Sequence, residues 1–186
     1  MKKTYVIDTN VLIQNPDALH CFEDNNLILP LVVVEELDGL KKNEGENGSN
    51  ARSAVRVLES YRNKGDLLKG VKLEQGGTLR VEKNFKDIEL PPDLPEDKAD
   101  NRILKVCLGL FQQRKRGQQI VLVTKDIVLR LKAQILGLRA EDFTTEQISE
   151  DDNRYPGRSQ AYIPEDQVKL FKKHGAPLDA LYISDE

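Results

Sequence analysis

Thr4-Tyr5-Val6-Ile7-Asp8-Thr9-Asn10 is the stretch that decides the fold, together with its later counterpart Ile120-Val121-Leu122-Val123-Thr124-Lys125-Asp126. Each is a short strand-like run that ends abruptly in polar residues including an aspartate. The fully apolar run at 120–123 predicts a strand covered on both faces, and such strands are typical of parallel sheets. The two stretches therefore predict parallel strands, with Asp8 directly after the first and Asp126 after the second, separated from it only by Thr124 and Lys125.

Strand and helix patterns alternate along the rest of the chain. Residues 71–83 alternate around Gly76-Gly77, which is typical of a β-hairpin. Residues 43–50 contain no apolar residue and predict a loop. This alternation predicts an α/β fold with a parallel sheet between helices. The further predicted strands are 27–29 and 138–140, and the main predicted helices are 32–40, 96–116 and 127–136.

Composition excludes several classes of protein. The 186 residues carry 28 Lys and Arg against 31 Asp and Glu, a net charge of −3, so bulk positive potential cannot bind nucleic acid and any such binding must be local. The longest apolar run, 27–34, is far shorter than the ~20 residues of a membrane helix. The two cysteines have no metal-ligand spacing, which excludes a disulfide scaffold and a zinc finger and predicts a reducing cytoplasm.

The character of the chain changes near residue 145. Beyond it the sequence is polar and aperiodic, with a short amphipathic piece at 165–173. We predict a folded domain at 1–145, and we interpret 146–186 as a linker or docking segment rather than as core.

Two aspartates follow strands. Ligands of open α/β sheets bind at the carboxyl ends of the strands, so Asp8 and Asp126 are candidates for one pocket. The alternative for each is a structural role as a helix N-cap, which contributes about 1 kcal/mol.

Two further acids lie on predicted inward helix faces. Asp100 is in line with the apolar positions Ile103, Leu104 and Cys107, and Asp97 extends that line by one turn. Glu36 lies between Val33 and Leu40 in the same manner. The alternative is that each marks the end of a stripe that reaches solvent. Together, however, inward carboxylates repel one another unless cations hold them.

The ligand chemistry of such a cluster is restricted. Carboxylate oxygens without Cys or His favour Mg²⁺ or Mn²⁺ over zinc. Such a site suits hydrolysis of a phosphodiester, in which metal ions activate water and stabilise the leaving oxygen. No protein general base is then needed, which agrees with a chain that has two histidines.

Four motifs in order resemble those of the PIN-domain nucleases. They are Val6-Ile7-Asp8-Thr9-Asn10-Val11-Leu12, Val34-Glu35-Glu36-Leu37-Asp38, Asp100-Asn101-Arg102-Ile103-Leu104 and Val123-Thr124-Lys125-Asp126. The resemblance spans residues 4–143. It implies a three-layer α/β/α fold with a central parallel sheet of about five strands, here with a small hairpin insertion at about 71–83. It also implies metal-dependent cleavage of single-stranded RNA that leaves a 5′-phosphate and a 3′-hydroxyl.

The resemblance also implies roles for individual residues. The metal-site and catalytic acids would be Asp8, Glu36, Asp100 and Asp126, and Asn10 and Thr124 would support them by hydrogen bonds. Asp97 departs from the family pattern, so it either joins the site or lies near it. Glu35 could exchange roles with Glu36, because the register of a short helix is uncertain by one residue.

A narrower resemblance is to the PIN module of PhoH-like proteins, carried by residues 124–133 and by the hairpin. In those proteins the module precedes a P-loop ATPase, and this chain contains no GxxxxGK[ST] motif. We therefore interpret the chain as an N-terminal fragment of a longer protein, with the ATPase domain as its implied partner.

Basic residues flank the loop at 43–50 and are candidates for contacts to RNA phosphates: Lys41, Lys42, Arg52 and Arg56. The alternative is that they are solvated helix faces. Two other functions stay open beside the nuclease: a catalytically silent module that positions RNA for an attached ATPase, and a homo-oligomerisation module.

Overall fold

The computed structural model describes residues 2–85 and 87–144 and the residue pairs 161–162 and 182–183. The predicted strands and most of the predicted helices are present. In chain order the elements are β1 (Lys3–Ile7), α1 (Thr9–Gln14), a 3₁₀ turn (Ala18–His20), β2 (Asn26–Pro30), α2 (Leu31–Leu40), α3 (Glu46–Lys64), β3 (Val71–Lys72), β4 (Thr78–Glu82), α4 (Ala99–Gln113), β5 (Gln119–Val123), α5 (Ile127–Ile135), β6 (Arg139–Glu141), β7 (Ala161–Tyr162) and β8 (Tyr182–Ile183).

The main sheet has six strands in the order β3-β4-β2-β1-β5-β6. Five of them are mutually parallel, namely β4, β2, β1, β5 and β6. The remaining strand, β3, pairs antiparallel with β4 at one edge. This confirms the predicted parallel sheet of about five strands. Ile7 lies opposite Val123 in the central pair, so the residues that follow β1 and β5 meet at one edge of the sheet.

Helices cover both faces of this sheet. The last four residues of β1 and of β5 are all buried, which a strand achieves only when both of its faces are covered. Helices α1, α2 and α3 contact one another, and α4 contacts β5, α5 and one end of the first group through α2. In a right-handed crossover, the face that a helix covers depends on the direction in which the chain moves across the sheet. The chain moves one way from β1 through β2 to β4 and the other way from β4 to β5 and β6, so α1 to α3 lie on one face and α4 and α5 on the other. The predicted three-layer architecture is confirmed.

Three predicted boundaries are wrong, and one of them is the end of α4, which lies at Gln113 and not at Arg116. Helix α4 begins at Ala99 and not at Glu96, because the preceding segment is folded back: the Asn101 side chain donates to the Pro95 carbonyl and the Lys105 ammonium to Glu96. The predicted loop at 43–50 is shorter, since α3 begins at Glu46.

The chain divides into two compact units, of which the first ends at Ile148 and the second begins at Ser149. Within the second unit β7 and β8 pair antiparallel. The amphipathic piece at 165–173 and most of the segment 146–186 lie outside the described residues. The interpretation of that segment as a linker or docking segment stays a prediction.

Neither a membrane span nor a disulfide occurs in the part of the chain that the structure describes. No helix there is long and apolar enough to cross a bilayer. Cys21 and Cys107 are both free thiols, and Cys107 is buried in the core.

The predicted hairpin forms from β3 and β4, and its turn depends on Gly77. The φ of Gly77 is +69°, and a Cβ there would lie 1.9 Å from the Asn25 carbonyl oxygen. We expect Gly77→Ala to destabilise the fold by at least about 2 kcal/mol, measured by urea unfolding. Gly39→Ala is the matched control: it is in a helix with no atom within 4 Å of the added methyl, and should gain up to about 1 kcal/mol. Equal effects of the two substitutions would contradict this role of Gly77.

Candidate active site

Asp8 lies at the carboxyl end of β1 and is the N-cap of α1. Its side chain is almost fully buried, with 5% of the residue exposed. Oδ1 accepts from the Thr9 backbone N–H at 2.6 Å, and Oδ2 accepts from the Thr124 hydroxyl at 2.5 Å. The capping role and the pocket role, posed as alternatives by the sequence, therefore coincide at this residue.

Thr124, at the carboxyl end of β5, forms hydrogen bonds to three other residues of the site. Its fully buried hydroxyl donates to Asp8 and accepts from the Asn10 side-chain amide at 3.2 Å and from the Asp126 backbone N–H at 3.0 Å. Asn10 in turn accepts from the Lys125 backbone N–H at 3.1 Å. Thr124 and Asn10 thus form a hydrogen-bond network with Asp8, and their role in supporting a metal site stays a prediction.

Glu36 and Asp100 approach Asp8 from two helices. Glu36, on α2, accepts from the Thr9 hydroxyl at 2.5 Å. Asp100, in the first turn of α4, accepts from the Lys132 ammonium at 3.3 Å. The pKa of Asp8 is raised to about 6, mainly by burial and to a smaller extent by the charges of Asp100 and Glu36, and the hydrogen bonds from Thr124 and Thr9 oppose this increase. Three carboxylates thus lie within electrostatic reach of one another at the carboxyl edge of the sheet.

Asp126 is connected to this group through Thr124, but its carboxylate has another partner. It is the N-cap of α5, with Oδ1 accepting from the backbone N–H groups of Val128 at 2.7 Å and Leu129 at 3.3 Å. The capping role is present here, and a role in metal binding stays a prediction.

The remaining predicted residues lie outside this cluster of contacts. Asp97 is exposed in the turn before α4, so the helical spacing that linked it to Asp100 does not apply. An Arg52 Nη donates to the carbonyl oxygens of Lys41 and Asn43 at the end of α2, and Lys41 forms an ion pair with Asp38. RNA contacts by Lys41, Lys42, Arg52 and Arg56 stay a prediction.

Two residues of the site were missed by the sequence analysis. Thr9 holds Glu36, and Lys132 on α5 holds Asp100. Thr9 lies between two residues that were selected, so its position was a usable signal. Lys132 is 32 residues from Asp100 in sequence, and no spacing pattern connects them.

The pKa of Asp8 should make the free energy of unfolding decrease as the pH rises from about 4 to 6. The folded protein retains the Asp8 proton up to about pH 6, whereas an unfolded aspartate loses it near 3.8. The folded state therefore binds more protons in this window, and stability is lost as they dissociate. The free energy of unfolding of Asp8→Asn lacks this decrease. The difference between the variant and wild type should therefore change by about 2–3 kcal/mol in favour of the variant as the pH rises from about 4 to 7, measured by urea unfolding in EDTA. A constant difference between the two proteins would contradict the raised pKa.

The donor chemistry of the site fits a hard divalent cation. Asp8, Glu36 and Asp100 offer carboxylate oxygens alone, which Mg²⁺ and Mn²⁺ prefer, and their mutual repulsion would be relieved by a cation. As the side chains stand, no three His, Cys, Asp or Glu residues in the described ranges are arranged to hold one ion. The Thr9 hydroxyl and the Lys132 ammonium occupy oxygens of two of these acids.

The parallel sheet and the acids at its carboxyl edge define a class of protein that a family comparison identifies. Residues 5–144 match the PIN domain family model. The chain belongs to the PIN domain family, whose fold is that of a nuclease.

Within this family the chain is similar to proteins named PhoH2. It is 39% identical over 175 residues to Protein PhoH2 of Bacillus subtilis (strain 168), a match that covers 92% of this chain and 40% of that protein. Protein PhoH2 of Thermobispora bispora is 35% identical over 175 residues, covering 93% of this chain and 38% of that protein. The chain thus spans about two fifths of the length of these relatives. Among solved structures, the T. brucei RRP44 PIN domain aligns with a TM-score of 0.46 at 14% identity, covering 78% of this chain and 79% of that one.

Proposed function

We propose that this chain is a metal-dependent endoribonuclease domain that cleaves single-stranded RNA. The observation that carries the proposal is the grouping of Glu36 and Asp100 near Asp8, on which their charges act, at the carboxyl edge of the sheet. A cluster of repelling carboxylates destabilises a fold, and its presence around the buried Asp8 favours a functional explanation. Membership of a nuclease family supports the same conclusion.

In this proposal the acids bind and the neighbouring residues orient. Asp8, Glu36 and Asp100 would hold Mg²⁺ or Mn²⁺, with Asp126 as the fourth acid. A bound ion would supply a water activated for attack and would stabilise the leaving oxygen. Thr124 fixes the direction of the Asp8 carboxylate, Thr9 fixes Glu36, and Asn10 keeps the Thr124 hydroxyl aimed at Asp8.

No histidine is needed in this mechanism. His20 lies with its ring nitrogen 3.5 Å from the Tyr61 hydroxyl, on the 3₁₀ turn rather than at the carboxyl edge of the sheet. His174 lies outside the described residues. The acids themselves thus carry the proposed chemistry.

The proposed RNA contacts are local, because the net charge is −3. Lys41, Lys42, Arg52 and Arg56 lie on α3 and at the end of α2, the helix that carries Glu36. Contacts of this kind bind backbone phosphate and carry no sequence information. An RNA strand bound by these basic residues would pass close to the acids.

We further propose that the module operates in the cytoplasm beside a P-loop ATPase domain. The greater length of the PhoH2 relatives supports a further domain, and the free thiols agree with a reducing compartment. The second candidate is a silent RNA-binding or oligomerisation module. The existing partners of Asp100 and Asp126 favour it, since those carboxylates are satisfied without a cation.

The test is cleavage of end-labelled single-stranded RNA in Mn²⁺, in Mg²⁺ and in EDTA. We expect cutting in the metal lanes alone, with products that carry 5′-phosphate and 3′-hydroxyl ends. Products with cyclic phosphate ends, or equal cutting in EDTA, would contradict metal-activated water. An absence of cutting in every lane, with RNA binding retained, would favour the silent module.

A further inference from the structure

Arg102 lies at the rim of the acid site, on the side of α4 that contacts α2. Its Nη1 is 3.6 Å from Oε2 of Glu35, the neighbour of Glu36 on α2. Because residues two apart do not share a helix face, Arg102 points away from Asp100 and toward α2. The guanidinium therefore lies beside the cluster and not within it.

The hydrogen-bonding capacity of this guanidinium is largely unused. Within the described part of the chain, the Arg102 Nε is buried and has no hydrogen-bond partner. The contact with Glu35 is an ion pair too long for a hydrogen bond. The Arg102 side chain is 35% exposed and that of Glu35 55%, so a ligand can reach the pair. Because Nε is itself buried, a ligand that approaches the exposed side of this residue meets the Nη groups of the guanidinium.

Four other cations near this edge of the sheet have hydrogen-bond partners within the described ranges. Lys132 donates to Asp100, Lys125 to the Phe143 carbonyl, and Arg130 to the Thr124 carbonyl. Lys105 donates to Glu96. Arg102 differs from these four cations because one of its donors, Nε, is buried without a hydrogen-bond partner in the described ranges.

We propose that Arg102 binds a backbone phosphate of the RNA next to the scissile one, and that Glu35 positions the guanidinium before the RNA arrives. The inference rests on the proposed function. The fork of guanidinium N–H donors matches two phosphate oxygens, which a lysine ammonium does not. A phosphate that approaches the exposed side of Arg102 replaces the long contact with Glu35 by two shorter, charge-assisted hydrogen bonds. Glu35 and Glu36 then have different roles, one orienting an arginine and the other belonging to the acid cluster.

The test measures RNA binding in an Asp8→Asn background, so that cleavage does not interfere. Fluorescence anisotropy with a labelled single-stranded oligonucleotide gives Kd at several salt concentrations. We expect Arg102→Ala to weaken binding about tenfold and to reduce the slope of log Kd against log salt by about 0.7, the value for one phosphate contact on a single strand. Arg102→Lys should recover the salt slope but only part of the affinity.

Arg116→Ala is the matched control, because it removes one exposed positive charge at the opposite edge of the sheet, just before β5. It should change neither the affinity nor the slope by a comparable amount. Glu35→Gln should weaken binding, though less than Arg102→Ala does, because the guanidinium is then no longer positioned before the RNA arrives. On the catalytically competent background, Arg102→Ala should act mainly on KM.

The outcomes separate this inference from the proposed function. Equal Kd values for Arg102→Ala and Arg116→Ala, in a protein that still cleaves RNA, would overturn the role of Arg102 and leave the nuclease intact. A loss of affinity with an unchanged salt slope, and with a lowered melting temperature, would assign Arg102 a structural role instead. A wild-type chain that neither binds nor cuts RNA would overturn the proposed function itself.

Discussion

Asp8→Asn is expected to reduce metal-dependent RNA cleavage by more than about a hundredfold while the chain stays folded. Loss of a group that only supports a metal ligand already reduces metal affinity or activity by about 10–100-fold. Asp8 is the most buried of the acids in the site. The variant keeps the volume of the side chain and an oxygen that can accept from the Thr9 N–H. Asparagine is also as good an N-cap as aspartate. The rate is measured on end-labelled RNA in Mn²⁺.

Folding of the same variant is tested by thermal melting in EDTA. Substitution removes a buried charge whose pKa is raised to about 6, which stabilises the fold. It also deprives the Thr124 hydroxyl of its acceptor, which costs about 1 kcal/mol. We expect a melting temperature equal to or slightly above that of wild type. A clear loss of stability would show that capping, and not the charge, governs this position.

Thr124→Val is expected to destabilise the domain by about 3 kcal/mol, although valine matches threonine in shape. The fully buried hydroxyl donates one hydrogen bond and accepts two, so its removal leaves the Asp8 carboxylate, the Asn10 amide and the Asp126 backbone N–H without this partner. Each buried group left unsatisfied costs about 1–3 kcal/mol. For a domain of this size the melting temperature should fall by roughly 10 °C. Cleavage should fall as well, because Asp8 loses the group that orients it.

Thr124→Ser is the control for this prediction. Serine keeps the hydroxyl and loses a methyl group, so it should retain most of the activity and lose about 1 kcal/mol of stability. If valine and serine gave the same stability and the same rate of cleavage, the hydroxyl network would have no role in the site.

The sequence was sufficient for the sheet and for its acidic edge. Uninterrupted apolar runs identify β1 and β5 because both faces of these strands are covered. Since parallel strands place their carboxyl ends together, the proximity of Asp8 and Thr124 followed from the fold class.

The features that sequence analysis predicted wrongly, missed or left open depend mainly on contacts between distant residues. The start of α4 is set by Asn101 and Lys105, which hold the 95–96 segment outside the helix, and local composition does not reveal this. Lys132 reaches Asp100 across 32 residues, and Thr9 reaches Glu36 across 27. Asp126 was selected for its place after a strand, a place that a capping residue and a metal ligand share.

The most direct test of the central claim, that these acids bind the cation used for cleavage, is calorimetric titration of Mn²⁺ into the wild-type chain and into Asp8→Asn. We predict saturable binding by wild type that is lost or strongly weakened in the variant, with both proteins folded under the conditions of the titration. Identical binding by the two proteins, or no binding by a wild type that cleaves RNA in Mn²⁺, would contradict the assignment of Asp8 to a metal site.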